Sequence, residues 1–226
     1  MELVVGMLLF SMMLLLVIGV LGPAAKVFVR MQRLQFAQAV LDNTIQELQG
    51  MAEKAVGYVK IYESCKASDD MTAKEGADQG YALEFVNTDG YVTLISTEGC
   101  PDTEIYLGDM QIDTVKAEEI GTGRLLSRYY LRESDGKYRC ENGAGAVARA
   151  VSGAFADGYY MGNYLEIMFS YPAGVGEGGK AGWLNAEVRL YSDKEKTQLT
   201  ARDSAVLEFR YEVKRQDEIT AKRETP

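Results

Sequence analysis

An uncharged run near the N-terminus constrains this chain more than any other feature. Residues 3–22, LVVGMLLFSMMLLLVIGVLG, carry no charge, and Ser11 is their only polar side chain. A helix of this length rises about 30 Å, which matches the hydrocarbon core of a bilayer. The run is longer than the apolar stretch of a secretory signal peptide, and no basic residue precedes it. It therefore predicts a membrane-spanning helix.

A second helical pattern follows Gly22 and Pro23. Proline lacks an amide proton and clashes with the preceding turn, so we expect the helix to loosen or bend there. Apolar residues then recur at steps of three and four, with Gln38 filling one gap, which predicts an amphipathic stalk helix over residues 24–62. The stripe consists of Val27, Met31, Leu34, Leu41, Ile45, Leu48, Ala52, Ala55 and Val59. Such a helix has to bury its stripe against a domain or against copies of itself.

The remainder of the chain has strand and turn signals. Residues 63–80 are polar and without periodicity, which is typical of a loop. YALEFVNTDGYVTLIS predicts a hairpin that turns at Asp89-Gly90, and RLLSRYYLRESDGKYRC predicts another that turns at Asp135-Gly136. GNYLEIMFSYP, WLNAEVRLY and SAVLEFRYEVK predict three more strands, whereas AGAVARAVSGAF fits either helix or strand.

These elements predict an α+β fold with segregated elements. A transmembrane helix over residues 1–23 continues as the stalk over residues 24–62. The stalk packs on an antiparallel β-rich head over residues 63–215, and a charged, flexible tail occupies residues 216–226.

Composition argues against catalysis and nucleic-acid binding. The net charge is −9, and the sequence contains no histidine. No basic face is available for phosphates, and the commonest general base and metal ligand are missing, so we predict no enzyme, metal or cofactor. Gly174–Lys180 fits G-x-x-x-x-G-K, but Ala181 replaces the required hydroxyl and a strand pattern follows, which favours a hairpin loop. The Tyr159-Tyr160 pair could form a carbohydrate platform, although cross-strand packing is the more usual role.

Three cysteines leave the disulfide pattern open. Cys65, Cys100 and Cys140 form no CxxC pair and have no metal-site spacing. In an oxidising compartment two of them could pair, with Cys100 and Cys140 as the candidate pair and Cys65 as the alternative partner. The other interpretation is three unpaired thiols packed in the head.

The N-terminal region resembles a known family. ELVVGMLLFSMMLLLVIGVLGPAAKVFVRMQRLQFAQAVLDNTIQEL is similar to the N-terminal helix of type IV pilins and of the pseudopilins of secretion and competence systems. Glu2 matches the family's glutamate, and Pro23 roughly matches its proline. The resemblance implies a structural filament subunit that a prepilin peptidase processes and an assembly platform recruits. It also implies a single-pass membrane precursor with an extracytoplasmic head, and an extracellular filament after assembly.

The resemblance gives three residues a role in assembly. It implies that Glu2 meets the N-terminal ammonium of a neighbouring subunit, since a carboxylate buried among apolar helices is costly unless it is paired. Gly22 and Pro23 would be the place where the helix bends or unwinds as the subunit leaves the membrane. The alternative is that Glu2 marks the water-facing end of a membrane helix. The corresponding alternative function is a non-polymerising single-pass protein whose extracytoplasmic domain binds a ligand or a partner.

The charges that flank the apolar run conflict with an extracytoplasmic head. Lys26, Arg30 and Arg33 follow the run and no basic residue precedes it, so the positive-inside rule places the head in the cytoplasm. Two explanations stay open: either the domain after the apolar run is cytoplasmic, or basic residues upstream of Met1 are missing, as they would be if the start codon were assigned too far downstream.

Overall fold

The computed structural model describes residues 2–64, 77–98, 103–107, 110–115, 121–132, 138–139 and 151–216. Its longest element is helix α1, Glu2–Ala52. The chain divides into two compact units, Met1–Ala39 and Val40–Pro226. We call the second the sheet unit. The last turns of α1, from Val40 to Ala52, belong to it.

Helix α1 runs through Pro23 without interruption. Gly22 and Pro23 are therefore helical, and the bend that we expect there as the subunit leaves the membrane stays a prediction. A proline removes one backbone hydrogen bond, and the helical residues on both sides hold the intervening turn in place. An apolar helix tolerates this loss because neighbouring groups can satisfy the freed carbonyl.

The predicted stalk helix is too long at its C-terminal end. Helix α1 ends at Ala52, and residues 55–62 form strand β1 (Ala55–Tyr62) instead. Ala52, Ala55 and Val59 fit a helical stripe, but the β1 sequence AVGYVKIY is rich in β-branched and aromatic residues, which favour a strand. Gly57 has φ +76° and lies where the pairing register shifts, so it forms a bulge that a helix would not accommodate.

The described residues form eleven further strands. They are β2 (Gln79–Gly80), β3 (Ala82–Asn87), β4 (Tyr91–Ser96), β5 (Thr103–Leu107), β6 (Met110–Val115), β7 (Leu126–Arg132), β8 (Tyr138–Arg139), β9 (Val151–Gly153), β10 (Tyr164–Ser170), β11 (Lys180–Tyr191) and β12 (Leu199–Arg215). Ten strands of the described chain make one sheet in the order β2-β10-β11-β12-β1-β3-β4-β7-β8, with β9 also paired to β7. Strands β5 and β6 form a separate antiparallel pair.

The main sheet is mixed, so the prediction of an antiparallel head over residues 63–215 is wrong in two respects. Strand β1 lies inside the sheet between β12 and β3, although it precedes residue 63. It is parallel to β12, with Tyr58 opposite Lys214, and antiparallel to β3. Alternation within a strand predicts which face is buried, but it carries no information about a neighbour that is distant in the sequence.

Several local predictions are confirmed. Strands β3 and β4 form the first hairpin, and Gly90 has φ +87° at its turn. Strands β7 and β8 pair antiparallel as the second hairpin requires, although its turn at Asp135-Gly136 lies outside the described residues. The three further strands are parts of β10, β11 and β12. Of the ambiguous AGAVARAVSGAF segment, Val151–Gly153 is strand and 144–150 lie outside the described residues.

The core lies between one face of the sheet and the end of α1. Val40, Leu41, Thr44, Leu48 and Ala52 are buried at helical spacing. Alternate residues of two adjacent strands are buried as well, namely Leu165, Ile167 and Phe169 of β10 and Leu184, Ala186, Val188 and Leu190 of β11. This arrangement is α+β, with a helix on a sheet.

Hydrogen bonds fix the end of α1 to the sheet unit at two levels. The amide of Gln49 exchanges two hydrogen bonds of 3.1 Å with the backbone of Glu208 in β12. One helical turn and a half earlier, Asn43 donates to the hydroxyl of Tyr159. Tyr159 belongs to a short 3-10 helix, Asp157–Tyr160, which precedes β10. The helix is therefore held by specific polar contacts as well as by its apolar face.

Candidate membrane and assembly surface

The N-terminal unit has an exposed apolar surface. Twenty large apolar side chains between Leu3 and Leu34 are 45–73% exposed. Soluble monomeric proteins rarely expose contiguous apolar patches of more than a few hundred Å², because such surfaces bind lipid or protein. The side of the helix is therefore the candidate functional surface of this unit.

Apolar side chains surround the helix over the predicted span. Residues 7–10 and 12–17 are uninterrupted apolar runs, and consecutive residues of an α-helix point about 100° apart. Four such residues face every direction, so no polar stripe is left for water. Helix α1 has a segment long and apolar enough to cross a membrane, and none of that segment is buried. A helix that is apolar all round is typical of a membrane span or of a segment that partners enclose.

Ser11 does not require water inside this segment. Its hydroxyl donates a 2.8 Å hydrogen bond to the carbonyl oxygen of Met7, one turn earlier in α1. A serine that bonds back to its own helix leaves no donor unsatisfied in lipid. The only polar side chain of the run is therefore compatible with a membrane.

The structure places the predicted assembly residues on one helix but not together. Glu2 is the first residue of α1, and Gly22 and Pro23 lie within it. At 1.5 Å per residue, Glu2 and Gly22 are about 30 Å apart along the axis, which is one bilayer core. A Cβ atom added at Gly22 would have no atom within 4 Å, so nothing in the described chain requires glycine there. Cys65, Cys100 and Cys140 lie outside the described residues.

The glycine-rich stretch is a hairpin loop. It joins the antiparallel strands β10 and β11, and Lys180 begins β11 instead of a helix. The Lys180 ammonium is 2.9 Å from the carboxylate of Glu212, which holds the pKa of Glu212 below its ordinary value. This geometry lacks the helix N-terminus on which a phosphate-binding loop depends.

The tyrosine pair does not form a flat binding platform. Tyr160 is completely buried, and its hydroxyl accepts a 3.0 Å hydrogen bond from the backbone N–H of Leu125. Burial raises the pKa of Tyr160 above its ordinary value. Its ring lies 4.6 Å from the Arg124 guanidinium and meets the Tyr159 ring edge to face. Packing is therefore the role of this pair.

Two polar groupings of the sheet unit were not predicted. Glu84 of β3 is buried, and both of its oxygens accept hydrogen bonds, at 2.9 Å from Tyr58 and 3.1 Å from Tyr62. Lys60 lies opposite Glu84 in the register, with its ammonium 4.9 Å from the centre of the Tyr62 ring. The alternation Tyr58, Lys60, Tyr62 is visible in the sequence, but their carboxylate partner belongs to another strand.

The second grouping lies on β10, on β11 and in the turn that follows β11. The carboxylate of Glu166 meets Lys196 at 2.8 Å and Arg189 at 3.4 Å, and it accepts a hydrogen bond of 3.2 Å from Tyr191. Arg189 also bonds Glu187 at 2.8 Å, and this hydrogen bond lowers the pKa of Glu187. Each charge has an opposite partner within the group, which is the pattern of a structural network. No group of three or more metal-ligating side chains occurs within the described ranges.

Comparison with known proteins provides no functional assignment, so the function proposed below is based on the exposed apolar surface of α1. No family model matches this sequence, and searches of characterised proteins and of solved structures also find no match.

Proposed function

We propose that this chain is a structural subunit of a filament of the type IV pilus or type II secretion kind, either a pilin or a pseudopilin. One observation carries the proposal: α1 is apolar on all sides over its first half and buries a single face in the sheet unit over its last turns. The first half suits lipid before assembly and neighbouring helices afterwards, because both surround the helix with apolar atoms.

The partners of this subunit follow from the resemblance of its N-terminal helix. They are other pilin-like subunits, a prepilin peptidase and an assembly platform in the membrane. The sheet unit would lie outside the cytoplasm and then on the filament surface. Glu2 would pair with the N-terminal ammonium of the next subunit, since residues 3–22 of the helices that surround it after assembly carry no charge.

The role of Glu2 can be tested in cells that carry the assembly system. We expect Glu2→Ala to remain in the membrane fraction but to be lost from sheared filaments, because the substitution removes the charge and keeps the apolar segment. Glu47→Ala, an exposed carboxylate on the same helix, serves as the matched control and should assemble normally. Normal incorporation of the Glu2→Ala protein would contradict the proposed pairing.

The alternative is a single-pass protein that does not polymerise and binds a ligand or partner through the sheet unit. The same apolar span supports it. Disulfide cross-linking in intact membranes, with the three native cysteines replaced by serine, separates the two functions. Because one introduced cysteine links two chains, it yields a covalent dimer for a filament subunit and only the monomer for the alternative. A cysteine introduced at Met13 for this purpose lies in the apolar segment on an exposed side of α1.

A further inference from the structure

Just beyond the apolar run, the surface of α1 carries positively charged side chains. Lys26, Arg30 and Arg33 are the only charged residues between Glu2 and Asp42. Their spacings of four and three place them within about 60° of one another around the helix and within about 10 Å along it. They form one stripe, which we call the basic face.

The basic face has no carboxylate partner in the described chain. Lys26, Arg30 and Arg33 are exposed, and none of their side chains forms an ion pair or a hydrogen bond with a described residue. Basic residues of the sheet unit behave differently: Arg189 and Arg215, for example, both contact carboxylates. The basic face is therefore available for an external anion.

The opposite side of the same turns is apolar. Val27, Phe28, Met31 and Leu34 are 49–61% exposed. Met31 and Phe28 lie about a third of a turn or more from the centre of the basic face, and Val27 and Leu34 flank it at about a fifth to a quarter of a turn. A helix with one apolar side and one basic side is typical of the interface between lipid tails and headgroups.

The position of the basic face along α1 matches the headgroup layer. Lys26 lies about 6 Å beyond Gly22 along the axis, and headgroups occupy roughly 5–7 Å on each side of the hydrocarbon core. Helical side chains tilt toward the N-terminus, so Lys26 and Arg30 lean toward the bilayer, and Arg33 stays within about one Debye length of it.

The charge of the rest of the chain makes this contact significant. Residues 1–33 contribute +2 to the net charge of −9, so residues 34–226 carry −11. An anionic membrane repels such a charge, and the basic face provides attraction at the point where the chain leaves the lipid. Charge complementarity therefore favours an anionic lipid as the occupant.

We propose that the basic face of α1 binds the headgroups of anionic phospholipids in the leaflet at the C-terminal end of the apolar run. The proposal rests on the membrane insertion that the proposed function assumes, and it does not require filament formation. The phosphates accept hydrogen bonds from Lys26 and Arg30 and attract the Arg33 guanidinium, while Phe28 and its apolar neighbours contact the upper part of the acyl chains.

Fluorescence quenching in vesicles tests the proposal on the full chain. Trp183, on β11, is replaced by phenylalanine, and Phe28→Trp places the single indole beside the basic face. The protein is reconstituted in equimolar phosphatidylcholine and phosphatidylglycerol, with brominated acyl chains on one lipid or the other. Each basic residue near an anionic surface contributes about 1 kcal/mol, or about fivefold, at most. We expect brominated phosphatidylglycerol to quench with a severalfold higher apparent affinity than brominated phosphatidylcholine.

A charge-matched pair of variants provides the control. Lys26→Gln, Arg30→Gln and Arg33→Gln together should abolish the preference for phosphatidylglycerol. Lys54→Gln, Arg202→Gln and Arg210→Gln remove the same charge from exposed positions of the sheet unit and should leave the preference unchanged. High salt should weaken the preference of the protein with an unaltered basic face for phosphatidylglycerol, since the contact is electrostatic.

Three results would overturn the proposal. Equal quenching by the two lipids would exclude headgroup selection while leaving insertion and the proposed function intact. The triple glutamine variant of Lys26, Arg30 and Arg33 could keep the preference for phosphatidylglycerol and instead lose self-association of the protein. That result would mean that the basic face binds acidic residues of a second copy. Quenching by neither lipid would refute membrane insertion, and with it both proposals.

Discussion

Arg124 and Tyr160 illustrate how single residues hold the sheet unit together. The Arg124 guanidinium lies over the Tyr160 ring and donates to the carbonyl oxygens of Gly123 and Asn163 at 3.0 and 2.7 Å. Tyr160 in turn satisfies the buried N–H of Leu125. One buried hydroxyl therefore joins the start of β7 to the 3-10 helix that α1 contacts through Asn43.

Tyr160→Phe is expected to destabilise the sheet unit by about 1–3 kcal/mol, because the Leu125 N–H would be left buried without an acceptor. Urea unfolding of a fragment over residues 36–226 measures the loss. Tyr211→Phe is the control, since Tyr211 is 46% exposed, and its effect should stay within about 0.5 kcal/mol. Equal effects of the two substitutions would show that the Leu125 contact is unimportant.

The Glu187–Arg189 pair predicts a dependence of stability on acid pH. The hydrogen bond from Arg189 lowers the pKa of Glu187 in the folded state. A group with a depressed folded pKa contributes stability that is present above its unfolded pKa and is lost as the pH falls through the folded pKa. Between pH 7 and pH 3 the unaltered fragment should therefore lose more unfolding free energy than Glu187→Gln. Parallel pH profiles would contradict the assignment.

At the scale of elements, features that depend on a few consecutive residues could be predicted from the sequence, whereas features that depend on pairing between distant strands could not. Apolar length predicts the first half of α1, and Asp89-Gly90 between alternating runs predicts the β3–β4 hairpin, because both signals are contained in a few consecutive residues. Residues 55–62 satisfy helix and strand patterns at once, and pairing with β12 and β3 decides in favour of the strand. Strands β5 and β6 were not predicted, although MQID alternates after Gly108-Asp109 and the preceding TEIYL contains β-branched and aromatic residues.

Gly57 provides a test of β1. Its φ of +76° is unfavourable for residues with a Cβ atom, so Gly57→Ala should cost about 1–2 kcal/mol through strain at the bulge. Gly182 in β11 likewise has open space where a Cβ atom would lie, but its φ is not positive. Gly182→Ala should therefore be nearly neutral in the same thermal unfolding experiment. A neutral Gly57→Ala would indicate that β1 lacks the bulge.

At the scale of the whole molecule, the sheet unit has to include part of α1 and all of β1. A fragment over residues 36–226 should be soluble and unfold cooperatively. A fragment over residues 63–226 loses the buried side chains of Val59 and Ile61 as well as the helical face that covers the core. Each large apolar side chain contributes about 1.5–3 kcal/mol when buried, and total stabilities are about 5–15 kcal/mol, so the shorter fragment should not fold.

Circular dichroism and size-exclusion chromatography distinguish the two fragments. The longer one should give a mixed spectrum with strand dominant and elute as a compact species, whereas the shorter one should aggregate or lack a thermal transition. A cooperative transition in residues 63–226 would show that β1 is dispensable for the sheet.

The apolar surface of α1 was easier to predict from the sequence than the polar contacts of the sheet unit. Membrane compatibility depends on composition along one helix, so residues 3–22 suffice to infer it. The contacts of Glu84, Glu166 and Arg124 join residues from separate elements, and one sequence does not reveal which elements are adjacent. The polar contacts of the sheet unit therefore could not be predicted from the sequence.

The parallel pairing of β1 with β12 determines when this protein can finish folding. Tyr58 of β1 and Lys214 of β12 lie opposite each other in this pair of strands, although they are 156 positions apart in the chain. A ribosome adding 5–20 residues per second needs roughly 10–30 s to produce the second partner after the first. During that interval β1 has an open edge on one side, which is a template for wrong pairing. A chaperone that shields this edge until synthesis ends would raise the yield of native protein. A nonsense mutation upstream of residue 199 would remove β12 and leave this edge of β1 without its partner strand.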